Sequence, residues 1–217
     1  MLPGDAVPAT YRTRIEEWDI RSPVVKFNAA LHRLPSWTAA PGETFMALGV
    51  VDVTTGLDAA QRAFATCDAG EPAVGFGEIY VQTGHDPTPA PDGRHLMSIF
   101  GQYAPYALNG GWDARRDQVA GQFIDLVARF APDFESCLES YEVLGPPDIE
   151  ARTGLTGGHI FQGEVRPDQM WTNRLSPRTE VPGVYLCGAA THPGGSVIAL
   201  NGRNAARAVL ADIDRQA

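Results

Sequence analysis

Cysteine is scarce in this chain, and so are the signatures of most familiar chemistries. Cys67, Cys137 and Cys187 stand far apart, with no C-x-x-C pair and an odd count of three. Such a set excludes a disulfide framework and predicts buried thiols in a reducing compartment. Cys187 lies in the apolar run Val-Tyr-Leu-Cys, which predicts a small core residue. No basic cluster is present, and 26 acidic residues outnumber 17 basic ones for a formal net charge of −9. That balance argues against nucleic-acid binding and predicts a solvated acidic surface. The N-terminal residues show no basic segment followed by an apolar one, so no signal peptide is expected. No apolar run approaches the roughly 18 residues of a membrane span, and the expected location is cytoplasmic. The chain has no H-E-x-x-H, no G-x-S-x-G and no G-x-x-x-x-G-K-[ST]. The five histidines, at 32, 85, 95, 159 and 192, show no metal-ligand spacing, so no metal site is expected. A G-x-G-x-x-G is missing too. Gly75-Phe76-Gly77 begins like one but lacks the third glycine and falls inside a predicted strand.

What is present is an ordinary globular composition, 44% hydrophobic and 20% charged over 217 residues. This length makes one large domain or two small ones and buries roughly 70% of the unfolded surface. A polar amphipathic patch near residues 11–20 predicts a short surface helix or an arm. Residues 24–31 alternate, with Val25, Phe27, Ala29 and Leu31 on one face, and predict a strand. Residues 45–53 are nearly all apolar and predict an interior strand. Leu57, Ala60, Phe64 and Cys67 recur at helical spacing, and Gly70 and Pro72 stop that helix. Strands are predicted over 73–83 and 95–103. The clearest helix carries Val119, Phe123, Leu126, Val127 and Phe130 on one stripe, with Asp113 as its expected N-cap. A short strand and a turn follow at 139–148, and then a glycine-rich stretch without periodicity, of the kind that lines sites. The fold class is α/β of the α+β kind: a mixed sheet carrying helices, with the last strand and helix in a different layer.

Residues 183–210, GVYLCGAATHPGGSVIALNGRNAARAVL, read as a buried strand, a glycine-rich loop and a helix starting near Ser196–Ile198. Free N–H groups at Ser196 and Val197 would then point out of the first turn, where the helix carries about half a positive charge. Such a seat suits a phosphate or the electron-rich edge of a flavin. A ligand-free strand-to-helix turn has the same spacing.

This segment resembles the C-terminal flavin-binding segment of the FAD-dependent phytoene-desaturase-like oxidoreductases. Within them it is most similar to the pyridine nucleotide-disulphide oxidoreductase domain-containing protein 2 branch. SPVVKFNAALHRLPSW, FGQYAPYALNGGW and LGPPDIEARTGLTGGHIFQGEVRPDQMW match that branch in the same order. The resemblance implies three parts: an N-terminal arm (1–22), a mixed-sheet substrate-binding domain (23–155), and a return segment (156–217) to a Rossmann-like FAD-binding domain. It implies that Gly188, Ala189, Thr191, His192, Pro193, Gly194, Gly195, Ser196 and Val197 line the flavin, with the Val197 N–H on a flavin carbonyl. His192 would shape the loop beside the isoalloxazine, or else act as a general base. His159, Gln169 and Trp171 are candidates for the substrate pocket, or else structural residues. The chain departs from the family's loop at Ser196 and Ala199, where glycine is usual. The family's N-terminal βαβ unit, which seats the FAD pyrophosphate, has no counterpart in these residues. The expectation is therefore an FAD oxidoreductase completed by a Rossmann-domain polypeptide or by a homo-oligomer, and inactive alone. It would act on an apolar small molecule by C–C desaturation or amine-type oxidation. The alternative is a non-catalytic module that binds apolar ligands or a partner.

Overall fold

The computed structural model of the chain describes residues 6–21, 23–195 and 197–216. Its contacts divide into two compact units, Ser22–Gly158 and the pair Met1–Arg21 with His159–Ala217.

The first unit is built on five strands: β1 (Val25–Leu31), β2 (Val50–Thr54), β3 (Phe76–Val81), β4 (His95–Gln102) and β5 (Leu138–Leu144). Their order is β2-β3-β4-β1-β5. The α+β class holds. The mixed sheet expected from sequence does not, because all four pairings are antiparallel. Alternation in β1 works as predicted: Val25, Phe27, Ala29 and Leu31 are buried on one face. The register places Val143, Phe27, Ile99 and Ile79 side by side across four strands, which makes one apolar rung. Two helices interrupt the strands, α2 (Leu57–Asp68) between β2 and β3 and α3 (Trp112–Ala128) between β4 and β5. Helix α3 buries Val119, Ala120, Phe123, Leu126 and Val127 in the same core. Phe123 meets Phe27 with ring centroids 5.3 Å apart. Gly101 on β4 permits this contact, since a Cβ there would sit 2.5 Å from the Phe123 ring.

Several boundaries differ from expectation. Residues 45–48 form a 3-10 turn, and β2 is an edge strand rather than an interior one. The 45–53 run buries only Ala47 and Val53, while Phe45, Leu48 and Val50 stay exposed. Asp113 is not the N-cap of α3. Gly111 holds that position, and Asp113 sits in the first turn, where its charge still complements the helix dipole. A short helix α4 (Phe134–Cys137) precedes β5, and α5 (Pro146–Thr153) follows it directly. Asp148 starts α5 by accepting the Gly145 N–H at 2.8 Å, and Arg116 of α3 grips the same carboxylate at 2.6 Å.

The second unit has little regular structure. Its helices are α1 (Ala9–Glu16), which buries no side chain, and α6 (Leu200–Gln216). The strand expected at 184–187 is absent: among the described residues the segment makes a single antiparallel bridge, Arg178 to Tyr185. A lone extended segment has no ladder to complete, so its apolar residues are not enclosed between neighbours. Cys187 is consequently exposed rather than core.

Phe123→Ala removes a fully buried ring against Phe27, and the expected loss is about 3–5 kcal/mol. Urea unfolding checks this; a midpoint equal to that of the parent chain would contradict the packing described.

Candidate functional site

The loop at 188–195 is held from behind by side chains. Thr191 is fully buried, and its Oγ1 donates to the Gly188 carbonyl at 2.8 Å. Asn201, in the first turn of α6, donates its amide to the carbonyls of Gly188 (3.1 Å) and Thr191 (2.8 Å) and to Thr191 Oγ1 (3.1 Å). Asn204, one turn on, donates to the His192 carbonyl at 3.1 Å. A parallel bridge, Leu175 to Thr191, joins the loop to the preceding segment. His192 is exposed, with Nδ1 2.8 Å from the Trp171 carbonyl, and the bond from His192 to Pro193 is cis. Gly194 is buried with φ +109°, a conformation that costs glycine nothing.

The outward side of this loop is backbone. Gly188 is exposed, and a Cβ built on it would meet nothing within 4 Å. Val197 is fully exposed, and Val197 and Ala199 both have positive φ, +55° and +59°. A β-branched residue held in that region carries backbone strain of about 1–3 kcal/mol. Helix α6 therefore begins at Leu200, not near residues 196–198 as the sequence predicts. The expected Val197 donor lies before the helix rather than in its first turn. Among the described residues, the amides of Gly188 and Val197 still donate to no protein acceptor. Ser196 lies outside the described residues.

Beside this loop in the chain, residues 159–174 enclose a buried polar cluster. Arg174 is 3% exposed and donates to the carbonyls of Phe161 (3.0 Å), Gln162 (3.3 Å) and Gly163 (3.3 Å). Burial pulls its guanidinium below the ordinary range, partly opposed by the charge of Glu164. Gly163 is required here, because a Cβ would lie 2.5 Å from Arg174 Nη1 and from Trp18 Nε1. Glu164 is itself buried, and Gln169 Oε1 accepts its N–H at 2.7 Å. His159 is buried with Nε2 3.5 Å from Glu164 Oε1, and neither ring nitrogen makes a hydrogen bond.

Gln169 and His159 are thus brought together, through Glu164. Trp171 is not with them: it is 60% exposed, and its carbonyl meets His192 Nδ1 and the Arg174 N–H. Thr191 and Gly194 face inward, while Gly188, His192 and Val197 face outward. Ala189, Pro193 and Gly195 are half-buried between these two sets. Sequence reasoning missed Asn201, Asn204, Arg174 and Glu164. The two asparagines, spaced i, i+3 just after the glycine-rich loop, were the available signal.

In the other unit, the sheet face that does not bear the Phe27 rung holds two open grooves. One, of about 430 Å³, runs past Asn28, Leu96, Ser98 and Glu142. The other, of about 540 Å³, is lined by Lys26, Leu48, Val50, Tyr80, Gln82 and Ser98, among others. Among the described residues no cluster of His, Cys, Asp or Glu is arranged for a metal, and no helix is long and apolar enough to cross a membrane.

No protein-family model matches the chain. Over 98% of its length it is 36% identical to pyridine nucleotide-disulfide oxidoreductase domain-containing protein 2 of Rattus norvegicus. The corresponding protein of Mus musculus is 34% identical over the same share. The chain is homologous to these proteins. It spans 39% of the length of each. A more distant likeness, 28% identity, relates 64% of the chain to 27% of a limonene dehydrogenase polypeptide of Castellaniella defragrans.

The homologous region thus includes both the loop before α6 and the grooved sheet. Asn201→Ala withdraws donors from two carbonyls and a hydroxyl and should cost about 1–3 kcal/mol. Faster hydrogen exchange at Thr191 and Gly194, whose amides bond within this loop, is the readout; unchanged protection there would refute the clamp. A second anchor is Asp212 of α6, which accepts from Arg178 (2.7 and 2.9 Å) and from the Tyr185 hydroxyl (2.8 Å). The hydrogen bond from Arg178, then that from Tyr185, hold its carboxyl below the ordinary range. A lowered carboxylate stabilises the fold above its unfolded value and loses that contribution as pH falls through the folded one. Acidification below the ordinary carboxylate range should release α6 from residues 178–185, seen as lost exchange protection there, and Asp212→Asn should remove that pH dependence.

Proposed function

We propose that the chain forms the substrate-side portion of an FAD-dependent oxidoreductase, in which a largely apolar substrate gives up a hydride to flavin. The observation that carries this reading is the outward backbone of Gly188 and Val197. It has donors without protein acceptors, on a loop fixed from behind by Asn201 and Asn204. That arrangement fits the electron-rich edge of an isoalloxazine: open space at Gly188 admits a flat ring, and the clamped loop needs no reorganisation on binding. A bound flavin would supply the two-electron acceptor. Gly188 and Val197 would donate to its pyrimidine edge, and His192 would hold the loop against residue 171. The grooved sheet face would receive the substrate and exclude water from it. The names of the relatives, an oxidoreductase domain and a dehydrogenase of limonene, which is a hydrocarbon, support dehydrogenation of a carbon skeleton over oxidation of an amine.

The pyrophosphate end of FAD has no seat in these 217 residues, which contain no G-x-G-x-x-G. That seat belongs to a Rossmann-type segment or polypeptide outside this sequence, which is the partner we propose.

Isolation of the tagged chain from its native cells, followed by a visible spectrum, tests this. A flavin spectrum is expected in the complex, and Gly188→Val should abolish it while leaving the melting temperature unchanged, since the added side chain meets nothing in the chain itself. A chain that never co-purifies with flavin, or a valine variant that keeps it in full, would defeat the assignment.

A further inference from the structure

Lys26 is the single lysine of the sequence; the other sixteen of its 17 Lys+Arg residues are arginines. It stands on β1 and reaches the 540 Å³ groove of the sheet face. Its ammonium has three donors. One meets Ser98 Oγ at 3.3 Å, an oxygen that already accepts from Gln82 Nε2 at 2.7 Å. The Tyr80 ring lies 6.0 Å from Nζ, at the outer limit of a cation–π contact. Among the described residues no carboxylate lies within ion-pair distance, so a half-buried cation has spare donors and no counter-ion. Burial lowers its pKa, and the nearby charge of Glu78 partly opposes this.

The carboxylates of this face are engaged or distant. Glu142 on β5 accepts from Asn28 (3.1 Å) and Arg152 (3.2 Å). Glu78 on β3 accepts the Tyr80 hydroxyl at 2.7 Å, and its strand is two positions from β1, about 10 Å away. Asp52 on β2 lies one strand further out. His85 lines the same groove. One ammonium balances one negative charge, and Glu78 opposes a second, so the complement is a monoanion. The opposite end of the groove is apolar. Leu48 and Val50 are both more than half exposed there, 54% and 52%, beside the exposed Phe45. Large apolar side chains left open next to a cation without a counter-ion define a site with one charged end and one oily end.

We propose that this groove binds an amphipathic monocarboxylic acid, its carboxylate on Lys26 and Ser98 and its hydrocarbon body over Leu48, Val50 and the Tyr80 ring. The proposal deepens the functional reading above and rests on it for the role of the sheet face as the substrate side; it assigns the substrate an acidic head group.

The purified chain is titrated calorimetrically with dodecanoate and with 1-dodecanol, both below their aggregation limits. Dodecanoate should bind about tenfold or more tightly than the alcohol. Lys26→Met should erase the difference and leave the alcohol's affinity in place. Because Lys26 is the only lysine, acetylation resolved by peptide mass spectrometry reads this one side chain, and dodecanoate should slow it in the unmodified sequence. Equal binding of acid and alcohol, or acetylation unaffected by bound dodecanoate, overturns the head-group inference while the apolar sheet face survives. Binding of neither ligand overturns both.

Discussion

A charged side chain with almost no solvent organises the less regular unit. Arg174 cannot shed its proton, so its burial carries a desolvation cost that only hydrogen bonds and opposite charge offset. It meets that cost with the carbonyls of three successive residues, 161–163, and with the field of Glu164. Three carbonyls turned toward one guanidinium cannot also form a strand ladder, which explains why this stretch is irregular. The same demand excludes any side chain at Gly163, where Trp18 closes over the guanidinium and donates to the Gln162 carbonyl. The N-terminal residues are thereby tied to a segment more than 140 positions away.

The two units consequently hold together by different physics. Residues 22–158 rely on an antiparallel ladder and a continuous apolar core from Val25 to Val143. In the other unit, side chains donate to backbone: Arg174, Asn201 and Asn204 do so, and Thr179 donates to the Val184 carbonyl. Hydrogen bonds of this kind contribute little net stability each, but losing one leaves a buried carbonyl unsatisfied. The arrangement trades regular structure for a loop whose polar atoms are spoken for on one side only. That one-sidedness gives the loop an outward face of backbone whose shape is fixed by the chain itself.

Legibility of the sequence followed the range of the forces. Alternation in β1 and the stripe of α3 are local patterns, and both elements lie where the residues predict them. The 45–53 run failed because hydrophobicity without alternation does not tell an interior strand from an exposed lip, and Leu48 and Val50 belong to the lip. The 184–187 run failed for a related reason: apolar β-rich residues predict a strand only where neighbours complete the ladder, and here Tyr185 finds a single bridge. The start of α6 was misplaced because Val197 and Ala199 adopt left-handed backbone, against the preference of their own side chains. Arg174 and Glu164 were invisible for the deepest reason. Their roles depend on contacts with residues 18, 19, 161–163 and 169, and no spacing rule encodes those.

The failures at the exposed lip and at the left-handed residues share a consequence. Sequences violate local rules mainly where something beyond local stability is being served. Leu48 and Val50 gain nothing by remaining in water, and Val197 gains nothing from a conformation that glycine would adopt freely. Neither is repaired by contacts within its own unit. Each shares a groove or a loop with a polar group that has donors to spare, Lys26 in the first case and the 188 and 197 amides in the second. An apolar surface beside an unpaired cation, and a strained backbone beside unpaired donors, are both incomplete in the sense that a bound molecule would complete them. A frustrated surface patch alone needs no ligand to explain it; what marks these two places is that a departure from local preference coincides with a polar group whose donors are not all used by the protein.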